Sequence, residues 1–95
     1  MKHNLEYYFK KAQKEKFALG QFNFSALAQL EAIVEAAKKK NSPVILGTSE
    51  GESRFLGLKQ AVALRNAYRT ETGPLIFLNL DHGKSFEYIK KAIDV

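Results

Sequence analysis

Apolar positions along this chain alternate between helical spacing and short unbroken runs. The first segment, residues 4–16, repeats apolar side chains every three or four positions, which predicts a short amphipathic helix. The run FALGQFNF at 17–24 then predicts a strand, and Ser25 after it is a plausible N-cap for a second helix. That helix ends at a lysine run and the sequence NSP at 41–43, where a turn is favoured.

The same alternation continues to the end of the chain. PVILGTSEG at 43–51 predicts a second strand ending in a glycine-containing loop, and helical spacing resumes at about Arg54 and stops at TGP, residues 72–74. PLIFLNLD at 74–81 predicts a third strand, and Ser85 opens a last helix. The predicted order is therefore one helix followed by three βα units.

The predicted strands are nearly continuous apolar runs, which are typical of parallel strands covered on both faces. Right-handed crossovers place such strands parallel, with their C-terminal ends at one edge of the sheet. The spacing of the units suits a (β/α)₈ barrel or a doubly wound sheet. A doubly wound nucleotide-binding sheet would favour a glycine fingerprint, and neither GxGxxG nor GxxxxGK followed by Ser or Thr occurs.

Composition narrows the classes of partner. Fifteen Lys and Arg against ten Asp and Glu give a net charge of +5, which suits a phosphorylated ligand, an acidic surface or nucleic acid. The lysine runs at 10–16 and 38–40 lack interleaved aromatic residues, so solvated helix faces explain them better than a nucleic-acid platform, whose binding would weaken steeply with salt. No cysteine occurs, which excludes disulfides and thiolate metal sites. Without a signal peptide or an apolar run of about 18 residues, we expect a cytoplasmic protein that binds neither membrane nor nucleic acid.

Polar residues appear where each apolar run stops: Asn23 in the first, Ser49 in the second, Asp81 and His82 in the third. In α/β folds ligands bind at this edge, because the βα loops and the helix N-termini converge there. Asn23 and Ser49 could instead cap helices or satisfy turns, and Asp81 could be a capping carboxylate. Polar groups at the same end of three strands are more than capping alone predicts.

His82 is the strongest candidate for a functional role. A lone histidine is more often a structural residue than a ligand, but this one follows Asp81 at a strand end and precedes Gly83. Imidazole is a common Zn²⁺ ligand, and a neighbouring carboxylate can exchange protons with a substrate that the metal polarises. Ideal strand geometry points Asp81 and His82 to opposite faces, so a shared site needs a break in the pleat, which Gly83 makes easy. His3 near the N-terminus is expected to be structurally idle.

Three motifs occur in order: GQFN at 20–23, SPVILGTSEG at 42–51 and LDHG at 80–83. Together they resemble the N-terminal third of the class II fructose-bisphosphate aldolases, which are metal-dependent (β/α)₈ enzymes, and the related tagatose-bisphosphate aldolases. The resemblance continues to KKAID at 90–94. It implies that residues 1–95 form part of a TIM-barrel domain, a leading helix and three βα units.

The resemblance also implies roles for the candidate residues. By position, His82 corresponds to a zinc ligand, and Asp81 to the acid that exchanges a proton with an oxygen of the aldehyde portion. Asn23 and Ser49 correspond to residues that line the substrate end of the barrel. The implied reaction is the reversible zinc-dependent cleavage of fructose 1,6-bisphosphate to dihydroxyacetone phosphate and glyceraldehyde 3-phosphate in glycolysis and gluconeogenesis. The implied partners are this phosphorylated sugar and, at full length, further copies of the protein.

The chain departs from the family in its length. A catalytic zinc needs about three protein ligands, and a (β/α)₈ barrel takes about 250 residues, so the remaining histidine ligands and about five βα units are missing. We therefore expect a fragment of a longer protein or a truncated form that is inactive alone. Two alternatives stay open. One is a tagatose-bisphosphate aldolase, although Gly83 weakly favours the fructose enzymes. The other is a non-catalytic α/β fragment that self-associates through its open strand edge.

Overall fold

In the computed structural model, which describes residues 3–73 and 75–95, the chain forms three strands and five helices. In chain order they are α1 (Leu5–Glu15), β1 (Gln21–Asn23), α2 (Leu27–Lys40), β2 (Val44–Ser49), α3 (Glu50–Leu56), α4 (Leu58–Thr72), β3 (Ile76–Asp81) and α5 (Phe86–Ile93). The predicted α/β class, with a leading helix and three βα units, is confirmed. Among the helices of this described part, none is both long and apolar enough to cross a membrane.

The strands form one parallel sheet in the order β1-β2-β3, as the crossover rule predicts. In its register Asn23 of β1 lies beside Gly47 of β2, and Gly47 lies beside Asn79 of β3. Side chains alternate along each strand, so these three positions share one face, and Leu46 and Ile76 belong to the opposite face. The two faces therefore differ sharply in polarity.

Helices α2 and α4 cover the apolar face and form the core with it. The buried cluster draws on α2, β2, α4, β3 and the residue that follows β1, and its members are Phe24, Leu30, Val34, Leu46, Ala61 and Ile76. Each of these side chains is at most 2% exposed, and burying a large one is worth about 1.5–3 kcal/mol. The sheet is thereby held from one side, and its other face remains available for polar groups.

Of the two N-caps that the sequence predicts, one is wrong and one is confirmed. The prediction that Ser25 is the N-cap of α2 is wrong, because the N-cap is Ala26, which has no side-chain oxygen. Instead Gln29 reaches back from the first turn, and its Oε1 accepts from the backbone N–H groups of Ser25 (2.7 Å) and Ala26 (3.2 Å). Ser85 is the N-cap of α5, as predicted, and its Oγ accepts from Tyr88 N at 3.1 Å.

The predicted boundaries need two further corrections. Strand β1 is shorter than the run at 17–24, since Lys16 ends α1 with φ 60° and the next residues only connect the helix to the sheet. The single helix predicted from about Arg54 is two helices, because Gly57 at φ 97° breaks the backbone between α3 and α4. Pro74, the predicted start of the third strand, and residues 1 and 2 lie outside the described residues.

Candidate active site

Four polar side chains lie in a continuous hydrogen-bonded row on the face of the sheet opposite the core. Asn79 Nδ2 donates to Gln21 Oε1 (3.1 Å), and Gln21 Nε2 donates to Asn23 Oδ1 (3.2 Å). Asn23 Nδ2 then donates to Asp81 Oδ2 at 3.0 Å. We call Asn79, Gln21, Asn23 and Asp81 the polar row. It connects β3 to β1 and returns to β3 at the C-terminal edge of the sheet.

The carboxylate of Asp81 determines the direction of the whole polar row. An ionised carboxylate only accepts hydrogen bonds, so Asn23 must present its NH₂ group to Asp81. Its carbonyl oxygen then faces Gln21, which must present an NH₂ group in turn. Asp81 Oδ2 is thus held by the Asn23 amide, whose orientation is in turn fixed by the hydrogen bond from Gln21 Nε2.

Gly47 makes room for the polar row where it passes over β2. A Cβ atom at this position would overlap Asn23 Oδ1 and would lie 2.8 Å from Gln21 Nε2. Since glycine has no Cβ, the side chains of β1 can lie flat across β2 and reach β3. Sequence reasoning did not select Gly47; a glycine inside an otherwise apolar strand is the signal that could have found it.

Ser49 lies beside Asp81 in the register and caps helix α3. Its Oγ accepts from Glu52 N (3.1 Å), and Glu52 Oε1 accepts from Ser49 N (2.8 Å), which is a reciprocal capping box. Asn23 Nδ2 also lies 3.4 Å from Glu52 Oε1. Accepting one bond leaves the Ser49 hydroxyl able to donate, so the cap and a ligand contact are compatible.

His82 directly follows the polar row and leaves the strand geometry. Its φ is 60°, so the break in the pleat that a site shared with Asp81 requires occurs at His82 itself. Histidine occupies this left-handed region several times more readily than most side chains do. The imidazole is 85% exposed, and its Nε2 lies 3.8 Å from Asp81 Oδ1. The two side chains therefore lie close together, although adjacent residues of an ideal strand point to opposite faces.

Gly83 has a packing role. A Cβ atom there would overlap Ile89 Cγ1 and lie 3.1 Å from Leu80 Cδ2. The absence of a side chain lets the loop after β3 approach helix α5 closely.

The donor set at this edge fits a zinc ion only in part. Among residues 3–73 and 75–95, no three His, Cys, Asp or Glu side chains are grouped so that they could hold a metal ion. His3 stacks on Tyr7, with ring centroids 3.7 Å apart, and so packs against α1, away from this edge of the sheet. Because a catalytic zinc needs about three protein ligands, the described residues supply one exposed imidazole and an adjacent carboxylate toward such a site.

Glu50, the first residue of α3, connects that helix to the loop after His82. Its Oε1 accepts from Lys84 N at 3.0 Å, and its Oε2 accepts from Arg54 Nε (3.2 Å) and Nη2 (3.0 Å). The N–H of Lys84, and next the Arg54 guanidinium, hold the pKa of Glu50 below its ordinary value of 4.5. Sequence reasoning quoted this residue within a motif but gave it no role.

The chemistry open to this edge follows from its geometry. Asp81 is 32% exposed; its Oδ2 is held by Asn23, and its Oδ1 lies 3.8 Å from His82 Nε2. A carboxylate placed in this way can deliver a proton to, or take one from, an oxygen atom of a bound ligand. The arrangement suits proton transfer next to an exposed imidazole.

Comparisons with known proteins agree with one another. The sequence model of the family described as "Fructose-bisphosphate aldolase class-II" matches residues 3–95. A protein of Bacillus subtilis (strain 168) named "Probable fructose-bisphosphate aldolase" is 45% identical over 86 residues, and the match covers 86% of this chain. The "Fructose-bisphosphate aldolase" of Geobacillus stearothermophilus is 44% identical over 87 residues, covering 87% of this chain. This chain spans about 30% of the length of both relatives.

A solved structure resembles the fold along almost the whole chain. The X-ray crystal structure of the YdjI aldolase from Escherichia coli K12 superposes with a TM-score of 0.84 and 22% sequence identity. The match covers 99% of this chain and 37% of that chain. At this identity the likeness shows the arrangement of helices and strands alone.

Proposed function

Since the chain belongs to the class II fructose-bisphosphate aldolase family, we propose that it supplies the Asp81–His82 edge of an aldolase active site. Its fold is that of part of a (β/α)₈ aldolase barrel. The proposed reaction is the reversible cleavage of fructose 1,6-bisphosphate to dihydroxyacetone phosphate and glyceraldehyde 3-phosphate. The observation that carries the proposal is the hydrogen bond from Asn23 to Asp81 at the strand ends, with His82 directly beside it.

Asp81 is the proposed catalytic acid and base. Its Oδ1 exchanges a proton with the oxygen of the aldehyde portion, while Asn23 holds Oδ2 in place. Positioned proton transfer of this kind contributes typically about 10²–10⁴-fold to a rate. Asn23 and Ser49 line the substrate end in this proposal, Asn23 through its contact with Asp81 and Ser49 through its remaining hydroxyl proton.

His82 is the proposed contribution of this chain to a zinc site. Its exposed imidazole at the edge of the sheet supports that role, and the other ligands come from outside the described residues. When bound, zinc supplies a Lewis acid for the substrate carbonyl. The net charge of +5 suits a doubly phosphorylated sugar. We further propose a cytoplasmic homo-oligomeric enzyme of glycolysis and gluconeogenesis.

The test uses the protein as its own gene encodes it. Asp81→Asn and His82→Ala are compared with wild type for cleavage of fructose 1,6-bisphosphate and for bound zinc. We expect both variants to lose at least about 100-fold in kcat, but only His82→Ala to lose zinc. Glu87→Gln serves as the control, because Glu87 is an exposed acidic residue in the first turn of α5.

Two results would overturn the proposal. One is a zinc-loaded wild-type protein without aldolase activity, and the other is full activity in His82→Ala. A larger kcat/KM for tagatose 1,6-bisphosphate than for fructose 1,6-bisphosphate would keep the reaction but change the substrate. Metal-independent self-association of an inactive protein would favour the non-catalytic alternative.

A further inference from the structure

The loop between β3 and α5 is held by a residue far away in sequence. We propose that Glu50 is a positioning residue for His82: through the backbone of Lys84 it holds the loop in the conformation that presents the imidazole. The consequence for metal binding rests on the proposed function, whereas the backbone effect does not. Glu50 does not touch the imidazole and acts only through the loop.

The contacts of Glu50 make it suited to this role. The side chain is 14% exposed, and both carboxylate oxygens are engaged, Oε1 by Lys84 N and Oε2 by the Arg54 guanidinium. Charge-assisted hydrogen bonds are roughly twice as strong as neutral ones. The carboxylate is therefore a firm anchor for a loop that follows an exposed histidine.

The anchor is itself fixed to α5. The Arg54 guanidinium lies over the Tyr88 ring, with its carbon 4.2 Å from the ring centroid. The hydroxyl groups of Tyr88 and Ser53 are hydrogen-bonded to each other and buried, and Ser53 Oγ also donates to the Glu50 carbonyl oxygen at 2.9 Å. The loop after β3, through Lys84, and helix α5, through Tyr88, are thus both attached to α3.

The backbone of His82 needs such an anchor. A left-handed conformation costs an L-residue with a Cβ roughly 1–2 kcal/mol, and strained residues persist when their surroundings determine the local structure. The imidazole is mostly exposed and meets only Asp81 among the contacts described above, so its own packing offers little compensation. The hydrogen bond from Lys84 N, two residues further on, to Glu50 constrains this turn in addition to the close packing at Gly83.

The decisive experiment compares His82→Ala with His82→Gly, each with Glu50 intact and with Glu50→Ala. Both substitutions at residue 82 remove the imidazole, so their difference reports the backbone alone. With Glu50 intact, we expect His82→Gly to have an unfolding equilibrium constant roughly two- to fivefold lower than His82→Ala, because glycine relieves the left-handed strain but has more freedom when unfolded. In the Glu50→Ala background this advantage disappears or reverses, since the loop can relax.

The conservative variant separates positioning from general stability. We call the higher stability of His82→Gly relative to His82→Ala the glycine advantage. Glu50→Gln keeps an oxygen that can accept from Lys84 N, so it should preserve most of the glycine advantage that Glu50→Ala removes. Glu87→Ala removes a first-turn carboxylate from α5 and should leave the advantage unchanged. A glycine advantage of the same size in all four backgrounds would overturn the proposal.

A second readout addresses metal binding with His82 intact. In the zinc-loaded gene product, Glu50→Ala should transfer zinc to a chelator at least roughly tenfold faster than wild type, as expected when support of a ligand is lost. Glu50→Gln should remain within a few-fold of wild type. Equal release by wild type and Glu50→Ala would overturn the link to the metal. An aldolase-inactive wild type would overturn the proposed function, and the stability comparison at residue 82 would still decide the role of Glu50.

Discussion

Replacing Gly47 by alanine tests whether the polar row matters for catalysis. The new methyl group would occupy the space of Asn23 Oδ1 and would crowd Gln21 Nε2 at 2.8 Å. Both are ends of flexible side chains, so the sheet can keep its register while the two amides move away. The expected structural result is a folded protein in which Asn23 no longer reaches Asp81.

The free energy of unfolding should change little. Losing a hydrogen bond to a charged group costs about 1.5–3 kcal/mol when the partner is buried, but Asn23 is exposed and Asp81 is partly exposed, so water replaces much of the bond. Alanine gains about 0.5–1 kcal/mol over glycine inside a strand. We therefore expect a net destabilisation below about 1 kcal/mol, which separates this variant from an unfolded one.

Catalysis should change much more than stability. A misplacement of about 1 Å at a reacting group can cost on the order of 100-fold, so we expect kcat to fall roughly 10- to 100-fold. The measurement is steady-state cleavage of fructose 1,6-bisphosphate by the gene product, together with urea denaturation. Gly51→Ala is the matched control, because among residues 3–73 and 75–95 a Cβ there meets only Ser49 Oγ at 4.0 Å. Wild-type kcat in Gly47→Ala would refute the reasoning.

Three further substitutions or conditions test the surroundings of the site. Ser49→Ala should cost about 1 kcal/mol in urea denaturation through loss of the α3 cap, and Ser49→Thr should restore most of it; an unchanged midpoint in Ser49→Ala would contradict the capping role. Tyr88→Phe should cost about 1 kcal/mol, because it removes the buried hydroxyl that pairs with Ser53, and a stability equal to wild type would argue against that bond. Because the pKa of Glu50 is lowered in the fold, its stabilisation is present above 4.5 and is lost as the pH falls below that value. In urea denaturation, the free energy of unfolding should therefore fall less between pH 7 and about pH 3 in Glu50→Gln than in wild type. An equal fall would contradict the stabilisation of the carboxylate by the Lys84 N–H and Arg54.

The strands and their common edge follow from the sequence because each strand is an apolar run with a polar end. Buried parallel strands need such runs, which is why PVILGTSEG and PLIFLNLD predict β2 and β3 to within about two residues at each end. The break at Gly57 was missed, since the helical spacing continues on both sides of it. Ser25 was misassigned because Gln29, a long side chain inside the helix, took over the capping.

The site was only partly predictable, for a different reason. Strand ends meet at one edge, so the proximity of Asn23 to Asp81 could be expected from topology. The contact between Glu50 and Lys84 joins residues 34 positions apart and depends on how α3 leaves the sheet, which no local pattern encodes. The left-handed conformation of His82 was not predicted, because glycine is the usual choice for that conformation. The catalytic and ligand roles remain predictions.

The polar row also determines what an isosteric change at its end would report. Three amide groups take their direction from one anion, so Asp81→Asn replaces an acceptor with a group that can both donate and accept. The amide at residue 23 is then free to turn over, and those of Gln21 and Asn79 can turn with it. The kinetic deficit of that variant measures the cooperative order of four side chains together with the lost proton exchange. An asparagine at position 81 therefore alters the hydrogen-bond directions of the whole polar row and not only the residue that is replaced.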